Sequence, residues 1–224
     1  MAKKWTDVWK ITFEIECLDG MRIGGSGGGL EIGGVDANLT ALKDPVSGEP
    51  YIPGSSLKGK LRSILEQKNG KGEGGSPCKC GSEDCPVCPV FGAHMNTRAG
   101  APRLIVRDAH FTEAYRKKWE ENPVYEEKTE NTIDRQRGTA SNPRTQERVP
   151  AGAVFQAELV LKVFQGDNDN TMIQNLKQAL GILQEFDSLG AGGSRGSGWI
   201  KIRNFKEEKK ALKDVTLDGE TLKK

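Results

Sequence analysis

The sequence predicts an α+β fold, because strand-like and helix-like segments follow one another along the chain. Apolar and polar residues alternate over 8–18 and again over 153–164, which is typical of half-buried strands. Apolar residues recur every three or four positions over 57–67 and 170–186, which indicates two amphipathic helices. The 224 residues are sufficient for one domain with a sizeable core.

The first helix has an apolar stripe and a cap at its start. The stripe consists of Leu57, Leu61, Ile64 and Leu65. Ser55 or Ser56 is the expected N-cap, because a serine oxygen can accept a hydrogen bond from an N–H group of the first turn. A glycine-rich stretch at 20–34 separates this helix from the first strand and is typical of a loop.

The second half of the chain completes a βαββαβ order. Residues 103–114 look like a second strand, whereas residues 120–150 are polar without a sustained period and indicate an extended excursion. The second helix carries its apolar face on Ile173, Leu176, Leu180 and Leu183. Residues 196–205 form the last strand. Without the insertions, the order predicts a ferredoxin-like or modified RNA-recognition-motif core.

The chain, 1–224, is predicted to be a single domain with insertions at 68–102 and 115–152 and a charged tail at 206–224. The net charge is only +2, so any surface that binds nucleic acid has to be local. No stretch has the apolar character of a signal peptide or the length of a membrane span. These features favour a cytoplasmic protein without a membrane partner.

Four cysteines in the first insertion have the spacing of a metal site. Cys78, Cys80, Cys85 and Cys88 follow the pattern C-x-C-x4-C-x2-C among glycines and prolines. Thiolates at such intervals can surround one tetrahedral ion and leave no open position, so a structural zinc ion is predicted. Free or redox-active cysteines are the alternative. The fifth cysteine, Cys17, lies in a strand pattern and is expected in the core.

The start of the first helix combines serines, a glycine and cations: Ser55, Ser56, Lys58, Gly59, Lys60 and Arg62. A helix N-terminus presents unpaired N–H groups and a partial positive charge, which favour anions. We therefore expect these residues to form an anion-binding site. A capped helix with a solvated cationic face explains the same residues equally well.

Two further stretches are candidates for phosphate contact. The first consists of Gly193, Ser194, Arg195 and Gly196. Its glycines leave backbone amides accessible, and Arg195 supplies a cation beside them. A long helix-to-strand loop capped by Gly190 explains part of this glycine content. In the second, 131–152, turn residues lie between extended flanks that contain Arg135, Arg137 and Arg144. This pattern fits a projecting hairpin that contacts nucleic acid, or an ordinary surface hairpin.

Four blocks carry a family resemblance: DANLTALKDPVSGEPYIPGSSLKGKLRSILE, CGSEDCPVCPVFG, IDRQRGTASNPRTQERVPAGAVF and LGAGGSRGSGW. In this order they resemble the backbone subunits of type III-A CRISPR effector complexes, which form the Csm-type branch of the RAMP superfamily (repeat-associated mysterious proteins). The resemblance extends from about the first strand to the last.

The resemblance implies several copies of the chain stacked as a helical filament along a CRISPR guide RNA, together with other type III-A effector subunits. It also implies a zinc-binding lid and a β-hairpin thumb at about residues 131–150, with cleavage of target RNA at six-nucleotide intervals. The segments that it matches to guide binding are the start of the first helix and Gly192–Gly198.

By the same resemblance, Asp36 is the residue that cuts the target RNA. It is expected to accept the proton of a 2′-hydroxyl or to hold a divalent metal such as Mg²⁺ or Mn²⁺, and we favour the metal-assisted version. A lone aspartate in a glycine-rich loop more often caps a turn. A non-catalytic RNA-binding scaffold and a RAMP endoribonuclease that matures CRISPR RNA are the alternative functions. A ribonuclease-like pair of His94 and His110 lies outside the blocks matched to cleavage.

Overall fold

The central sheet is built on two long antiparallel strands, β1 (Trp5–Cys17) and β6 (Val154–Phe164). The computed structural model describes residues 3–24, 41–72, 74–93 and 100–215. On the other side of β1 lies β7 (Ile200–Ala211), whereas β2 (Leu104–Val106) and β3 (His110–Phe111) both pair with β6. The strand order is therefore β2-β6-β1-β7, and every pair of neighbours is antiparallel.

One face of this sheet contributes to the hydrophobic core. Ile11 and Ile15 of β1 lie opposite Leu159 and Phe155 of β6, and all four side chains are buried. Polar residues alternate with them along β1, and successive side chains of a strand point to opposite faces. The alternation of apolar and polar residues that predicted these two strands therefore also identifies the face of the sheet that lies against the core.

Two helices, α1 (Gly54–Lys68) and α4 (Asp169–Phe186), pack on the covered face. The predicted apolar stripes are all buried: Leu57, Leu61, Ile64, Leu65, Ile173, Leu176, Leu180 and Leu183. They join the sheet residues in one hydrophobic cluster, so both amphipathic helices are confirmed. Within the described residues, no helix is long and apolar enough to span a membrane.

The start of α1 differs from the prediction of Ser55 or Ser56 as the N-cap. The N-cap is Pro53, which makes no side-chain capping bond, and the helix begins at Gly54. Instead, Asp108 Oδ1 accepts a hydrogen bond from the Gly54 N–H group at 2.7 Å. The prediction was wrong because a carboxylate distant in sequence supplies the acceptor that a local serine was expected to provide.

The segment 103–114 is not one continuous strand. Three residues separate β2 from β3, but they face only two residues of β6, and Ala109 pairs instead with Ile52. A helix that was not predicted, α3 (Glu113–Glu121), follows directly and buries Trp119. The Thr112 side chain caps this helix. A further short helix, α2, covers Cys88–Phe91.

The polar excursion contains a two-stranded hairpin, β4 (Glu126–Asp134) and β5 (Thr139–Arg148). Its turn lies at 135–138, before most of the GTASNP stretch where it was expected. The Asp134 carboxylate fixes this turn by accepting hydrogen bonds from two backbone N–H groups. The two strands form a sheet of their own, apart from the central sheet.

The last strand is longer than predicted, since β7 continues from 205 to Ala211. Lys209 of this extension lies 2.8 Å from the Asp169 carboxylate, and Glu207 lies 2.9 Å from Lys177. The beginning of the charged stretch therefore forms an edge strand that ion pairs attach to α4.

Candidate nucleic-acid interface and metal site

The β4–β5 hairpin lies beside the loop that follows α4. We call residues 190–198 the glycine loop. Glu130 Oε2 accepts a hydrogen bond from Arg195 Nε at 3.0 Å, and Lys128 Nζ donates to the carbonyl oxygen of Arg195. Side chains of one strand of the hairpin thus hold a loop that is distant in sequence.

Between the hairpin and the glycine loop is a cleft of about 560 Å³. Its lining residues are Arg22, Lys128, Glu130, Asn131, Thr132, Arg144, Gln146 and Arg195. Four of these side chains are cationic and one is anionic, which leaves a local formal charge of +3. A cleft lined mainly by one sign of charge focuses its field and attracts ions of the opposite sign.

The cleft brings together two residues that were predicted to contact RNA, Arg144 and Arg195. It adds Arg22 and Lys128, which the sequence analysis did not single out. Lys128 lies in the run EEKTE, whose net charge is −2, so that the sequence around it does not indicate an anion site. The pattern that could have identified Lys128 was the two-residue period of a strand, which places Lys128 and Glu130 on the same side of β4.

The glycine loop packs closely on the segment before residue 25. A Cβ atom at Gly190 would overlap the carbonyl oxygen of Arg22, and one at Gly198 would overlap the carbonyl oxygen of Leu189. Both glycines also have positive φ angles, +90° and +79°. The loop's own packing therefore requires glycine at these two positions. Phosphate contact by the 3₁₀ turn Gly193–Arg195 remains a prediction.

Asp36 lies outside the described residues, but the residues on either side of 25–40 are described. Gly24 and Ala41 form an isolated antiparallel bridge. The Leu42 N–H group also donates to the carbonyl oxygen at position 23, at 2.9 Å. The chain therefore enters and leaves the segment that contains Asp36 at adjacent points.

The end of β5 holds both sides of this segment. Met21 and Val149 exchange two backbone hydrogen bonds of 2.9 and 2.8 Å. Glu147 Oε1 accepts from the Ala41 N–H group at 3.2 Å and lies 3.0 Å from Lys43 Nζ. The segment with the predicted catalytic aspartate is thus anchored at the base of the hairpin.

The cations predicted at the start of α1 have partners within the chain. Lys58 Nζ donates to the Leu104 carbonyl oxygen at 2.7 Å, and burial together with the charge of Arg62 lowers the pKa of Lys58. Lys60 Nζ lies 3.0 Å from Asp187 Oδ1. An RNA phosphate would therefore compete with these partners, and binding by the helix start remains a prediction.

Most of the other predicted RNA-binding positions are exposed. This group contains Ser55, Gly59, Arg135, Arg137, Arg144, Ser194, Arg195 and Gly196, while Ser56 and Gly193 are half-buried. Arg135 and Arg137 lie in the turn of the hairpin, outside the lining of the cleft. Solvent access permits RNA contact at these positions, which stays a prediction for each of them.

The four cysteines of the first insertion converge on one point. Their Sγ atoms all lie within 4.8 Å of one another, with 3.7 Å from Cys80 to both Cys78 and Cys88. Four sulfur ligands about 2.3 Å from a tetrahedral ion lie about 3.8 Å apart. A disulfide bond would require about 2.05 Å. The cluster, which Cys85 completes, can therefore hold a metal ion, whereas Cys17 is buried in the core as expected.

The thiols of the cluster differ in how readily they ionise in the absence of a cation. Burial raises the pKa of both Cys85 and Cys88, whereas a backbone hydrogen bond from Ser82 lowers the pKa of Cys80 to about 7. Buried thiolates are unfavourable unless a positive charge compensates them. A metal ion at the centre of the cluster supplies this charge and deprotonates coordinating thiols.

Two residues of α1 reach the cysteine cluster. Glu66 Oε1 accepts hydrogen bonds from Arg62 Nε and from the Cys78 N–H group, both at 2.8 Å. Arg62 Nη2 donates to the Cys78 carbonyl oxygen at 3.0 Å. Arg62, which the sequence analysis assigned to RNA binding, therefore also orients a candidate metal ligand.

Comparisons with known proteins match most of the chain. The RAMP superfamily matches residues 14–201. The "CRISPR system Cms endoribonuclease Csm3" of Methanothermobacter thermautotrophicus is 40% identical over 213 residues, which cover 88% of this chain and 84% of that protein. The protein of the same name from Methanocaldococcus jannaschii is 41% identical over 200 residues, 86% of this chain and 77% of that protein.

A solved structure agrees with these relatives. The crystal structure of a Csm3-Csm4 subcomplex in the type III-A CRISPR-Cas interference complex contains a chain that superposes with a TM-score of 0.61. The two sequences are 29% identical, and the match covers 94% of this chain and 83% of that one. The chain therefore belongs to the RAMP superfamily and, within it, to the family of the CRISPR endoribonucleases Csm3.

Proposed function

We propose that this chain is a guide-RNA-binding backbone subunit of a type III-A CRISPR interference complex, and an endoribonuclease that cuts target RNA paired with the guide. The observation that carries the proposal is the basic cleft between the hairpin and the glycine loop, in a chain of the Csm3 family. In the cytoplasm, copies of the chain form a helical filament along the guide and meet other type III-A subunits.

The cleft suits the backbone of an RNA strand better than its bases. Its cations, Arg22, Lys128, Arg144 and Arg195, can pair with phosphates, and Asn131 and Thr132 add neutral hydrogen-bonding groups. Contacts to phosphate and sugar position a nucleic acid without reading its sequence. We therefore expect binding that is nearly independent of the guide sequence.

Three finer structural assignments belong to this proposal. We infer a ferredoxin-like core, because α1 connects β1 with β2 while α4 connects β6 with β7, and all four strands lie in one antiparallel sheet. The β4–β5 hairpin is the thumb. The insertion with the four cysteines is a lid that holds a structural zinc ion, since a shell of four thiolates suits zinc and leaves no position for a reacting water.

Cleavage relies on the nucleophile that RNA itself carries. Where a kink in the target aligns a 2′-oxygen with the adjacent phosphorus, the oxygen attacks, the 5′-oxygen of the next nucleotide leaves, and the products are a 2′,3′-cyclic phosphate and a 5′-hydroxyl. Asp36 is the candidate base or metal-binding carboxylate. A divalent ion such as Mg²⁺ or Mn²⁺ would lower the pKa of the attacking hydroxyl. One kink per subunit gives cuts at six-nucleotide intervals.

The test is cleavage of a labelled target RNA by complexes reconstituted with an Asp36→Asn chain. Because Asn keeps the size of the side chain but loses the carboxylate, cutting should fall at least a hundredfold while guide retention stays within twofold. Glu31→Gln removes an acid from the same segment and serves as the matched control, with cutting unchanged. Cutting by Asp36→Asn at the normal rate would support the alternative of a non-catalytic scaffold.

A second measurement addresses the other alternative, an enzyme that matures CRISPR RNA. The isolated chain is incubated with repeat RNA in the absence of target. We expect no cleavage, because the proposed site needs the kinked guide–target duplex. Cutting within the repeat, lost on Asp36→Asn, would favour the maturation function instead.

A further inference from the structure

Arg148 is a nearly buried arginine at the base of the hairpin, and its side chain is 8% exposed. Nη1 donates to the Gly196 carbonyl oxygen at 2.9 Å and to Ser197 Oγ at 2.8 Å, while Nη2 pairs with Glu126 on the opposite strand of the hairpin. One guanidinium group therefore joins both strands of the hairpin to the glycine loop.

The segment before residue 25 meets the same point. A Cβ atom at Gly20 would overlap Nε of Arg148, so the backbone there packs directly against the guanidinium group. Val149, the residue directly after β5, exchanges two backbone hydrogen bonds with Met21. The Gly20 carbonyl oxygen accepts from the Gly198 N–H group at 3.0 Å. Three segments distant in sequence thus join around one buried charge.

We propose that Arg148 is a positioning residue that fixes the hairpin relative to the glycine loop and to residues 18–24, which lead to the segment with Asp36. The inference rests on the proposed function, because these three parts carry the thumb, the guide contacts and the cleaving carboxylate. Arg148 then determines which phosphodiester of the target reaches Asp36. Its role is geometric, since both terminal nitrogens of its guanidinium group are engaged by partners within the chain.

The fork shape of arginine is essential to this role. A guanidinium group can bind acceptors in different directions at once, whereas the ammonium group of lysine is a point charge on a flexible stem. Arg148→Lys keeps the positive charge beside Glu126 but cannot hold both Ser197 and the Gly196 carbonyl oxygen with the same geometry. This substitution therefore separates the charge of Arg148 from its shape.

Arg103 provides a matched control at a distance from the hairpin. It pairs with Asp167 through two hydrogen bonds of 3.1 Å, and both side chains are 5% exposed. Arg103→Lys therefore disturbs an equally buried arginine between the cysteine insertion and the start of α4. Any effect of general destabilisation should appear in both variants.

The experiment maps cleavage positions on end-labelled target RNA with reconstituted complexes. For Arg148→Lys we expect guide retention within twofold of the unmodified complex, cutting reduced about tenfold, and products spread over neighbouring phosphodiesters. Arg103→Lys should leave the cleavage positions unchanged. Unaltered positions in Arg148→Lys, or the same spread in Arg103→Lys, would overturn the proposal.

Gly20→Ala disturbs the junction of the hairpin, the glycine loop and residues 18–24 from the backbone side. The added methyl group would displace the Arg148 guanidinium group. The cleavage map of this variant should resemble that of Arg148→Lys, and the double variant should be within about twofold of either single variant. Full additivity of the two defects would contradict a shared junction.

Amide hydrogen exchange of the unmodified and Arg148→Lys complexes gives a readout that does not depend on cutting. Exchange at Met21 and Gly198 should increase at least tenfold in the variant, whereas unchanged exchange would refute the junction. If the unmodified complex fails to cut, the proposed function fails, and the exchange result still decides the role of Arg148.

Discussion

Glu66 links the first helix to the cysteine cluster through a single carboxylate oxygen. That oxygen accepts from the Cys78 backbone and from Arg62, whose guanidinium group in turn holds the Cys78 carbonyl oxygen. Mutation of groups that orient metal ligands in this way typically lowers metal affinity by about tenfold to a hundredfold. The two residues on α1 should therefore influence a bound ion without touching it.

Glu66→Gln should weaken zinc binding by about tenfold to a hundredfold, because it weakens the pair that holds the Cys78 backbone. Competition with a chromophoric zinc chelator measures this affinity on the purified chain. Glu113→Gln, on the exposed surface of α3, is the control and should have no effect. An unchanged zinc affinity in Glu66→Gln would mean that Cys78 is oriented by the cysteine cluster alone.

At the scale of single residues, the sequence predicted the candidate metal ligands better than it predicted the partners of the cations on α1. The spacing of the four cysteines is local information, and their convergence follows from it. The partners of Lys58 and Lys60 are Leu104 and Asp187, and no pattern around the helix indicates them. A cation that the sequence suggests is available for RNA can instead pair with a group that is distant in sequence and close only in the folded chain.

The strand β4 shows how one element controls the cleft. Its alternation places Lys128 and Glu130 towards the glycine loop, while Glu127 points away and is exposed. Burial alone would raise the pKa of Glu130, but hydrogen bonds and charges from Arg195 and Lys128 hold this pKa below its usual value. The carboxylate is therefore ionised at neutral pH. It pairs with Arg195, a cation that an RNA phosphate would otherwise contact.

Glu130→Gln should increase the affinity of the chain for single-stranded RNA by about two- to fivefold at low salt. The substitution removes a negative charge from the cleft and weakens the hold on Arg195. Fluorescence anisotropy with a labelled RNA measures the change. Glu127→Gln makes the same charge change on the opposite side of the strand, and an equal gain there would show that the effect is not local to the cleft.

Elements with a dominant apolar period were located by that period, and turn residues indicated the polar hairpin, but α3 and the end of β7 were missed. α1 and α4 bury their whole stripes, and the period alone located them. α3 spans nine residues and buries only Trp119 among them, so its period is too weak to detect. The extension of β7 carries charges on both faces because it is an edge strand, which removes the alternation that marks a half-buried one.

At the scale of the whole molecule, RNA affinity depends on the distribution of charge. The net charge is +2, whereas the cleft alone carries +3. The cleft lies where the hairpin and the glycine loop meet, through contacts that include those of Arg195 and Arg148. Composition could therefore exclude a global positive field, but it could not locate the local one.

Salt dependence can count the cations that contact RNA. If the four cationic residues of the cleft each neutralise one phosphate, the logarithm of the association constant should fall against the logarithm of salt concentration with a slope of about −3. Binding should then weaken about fiftyfold between 50 and 200 mM salt. Anisotropy titrations across this range measure the slope for the isolated chain.

Lys128→Met should reduce the magnitude of that slope by about 0.7, since it removes one phosphate contact. A slope near −5 for the unmodified chain would show that Lys58, Lys60 and Arg62 exchange their present partners for phosphates as well. A slope near zero would remove the cleft from consideration as the RNA site.

The bridge between Gly24 and Ala41 brings together the two points where the chain enters and leaves residues 25–40. Since these two points already touch, a short linker can replace the sixteen intervening residues without pulling on the sheet or the hairpin. On the proposed function, such a replacement would convert a cutting subunit into one that only holds the guide RNA, while assembly is preserved. In the proposed filament, active and silent copies of the chain would then occupy equivalent places.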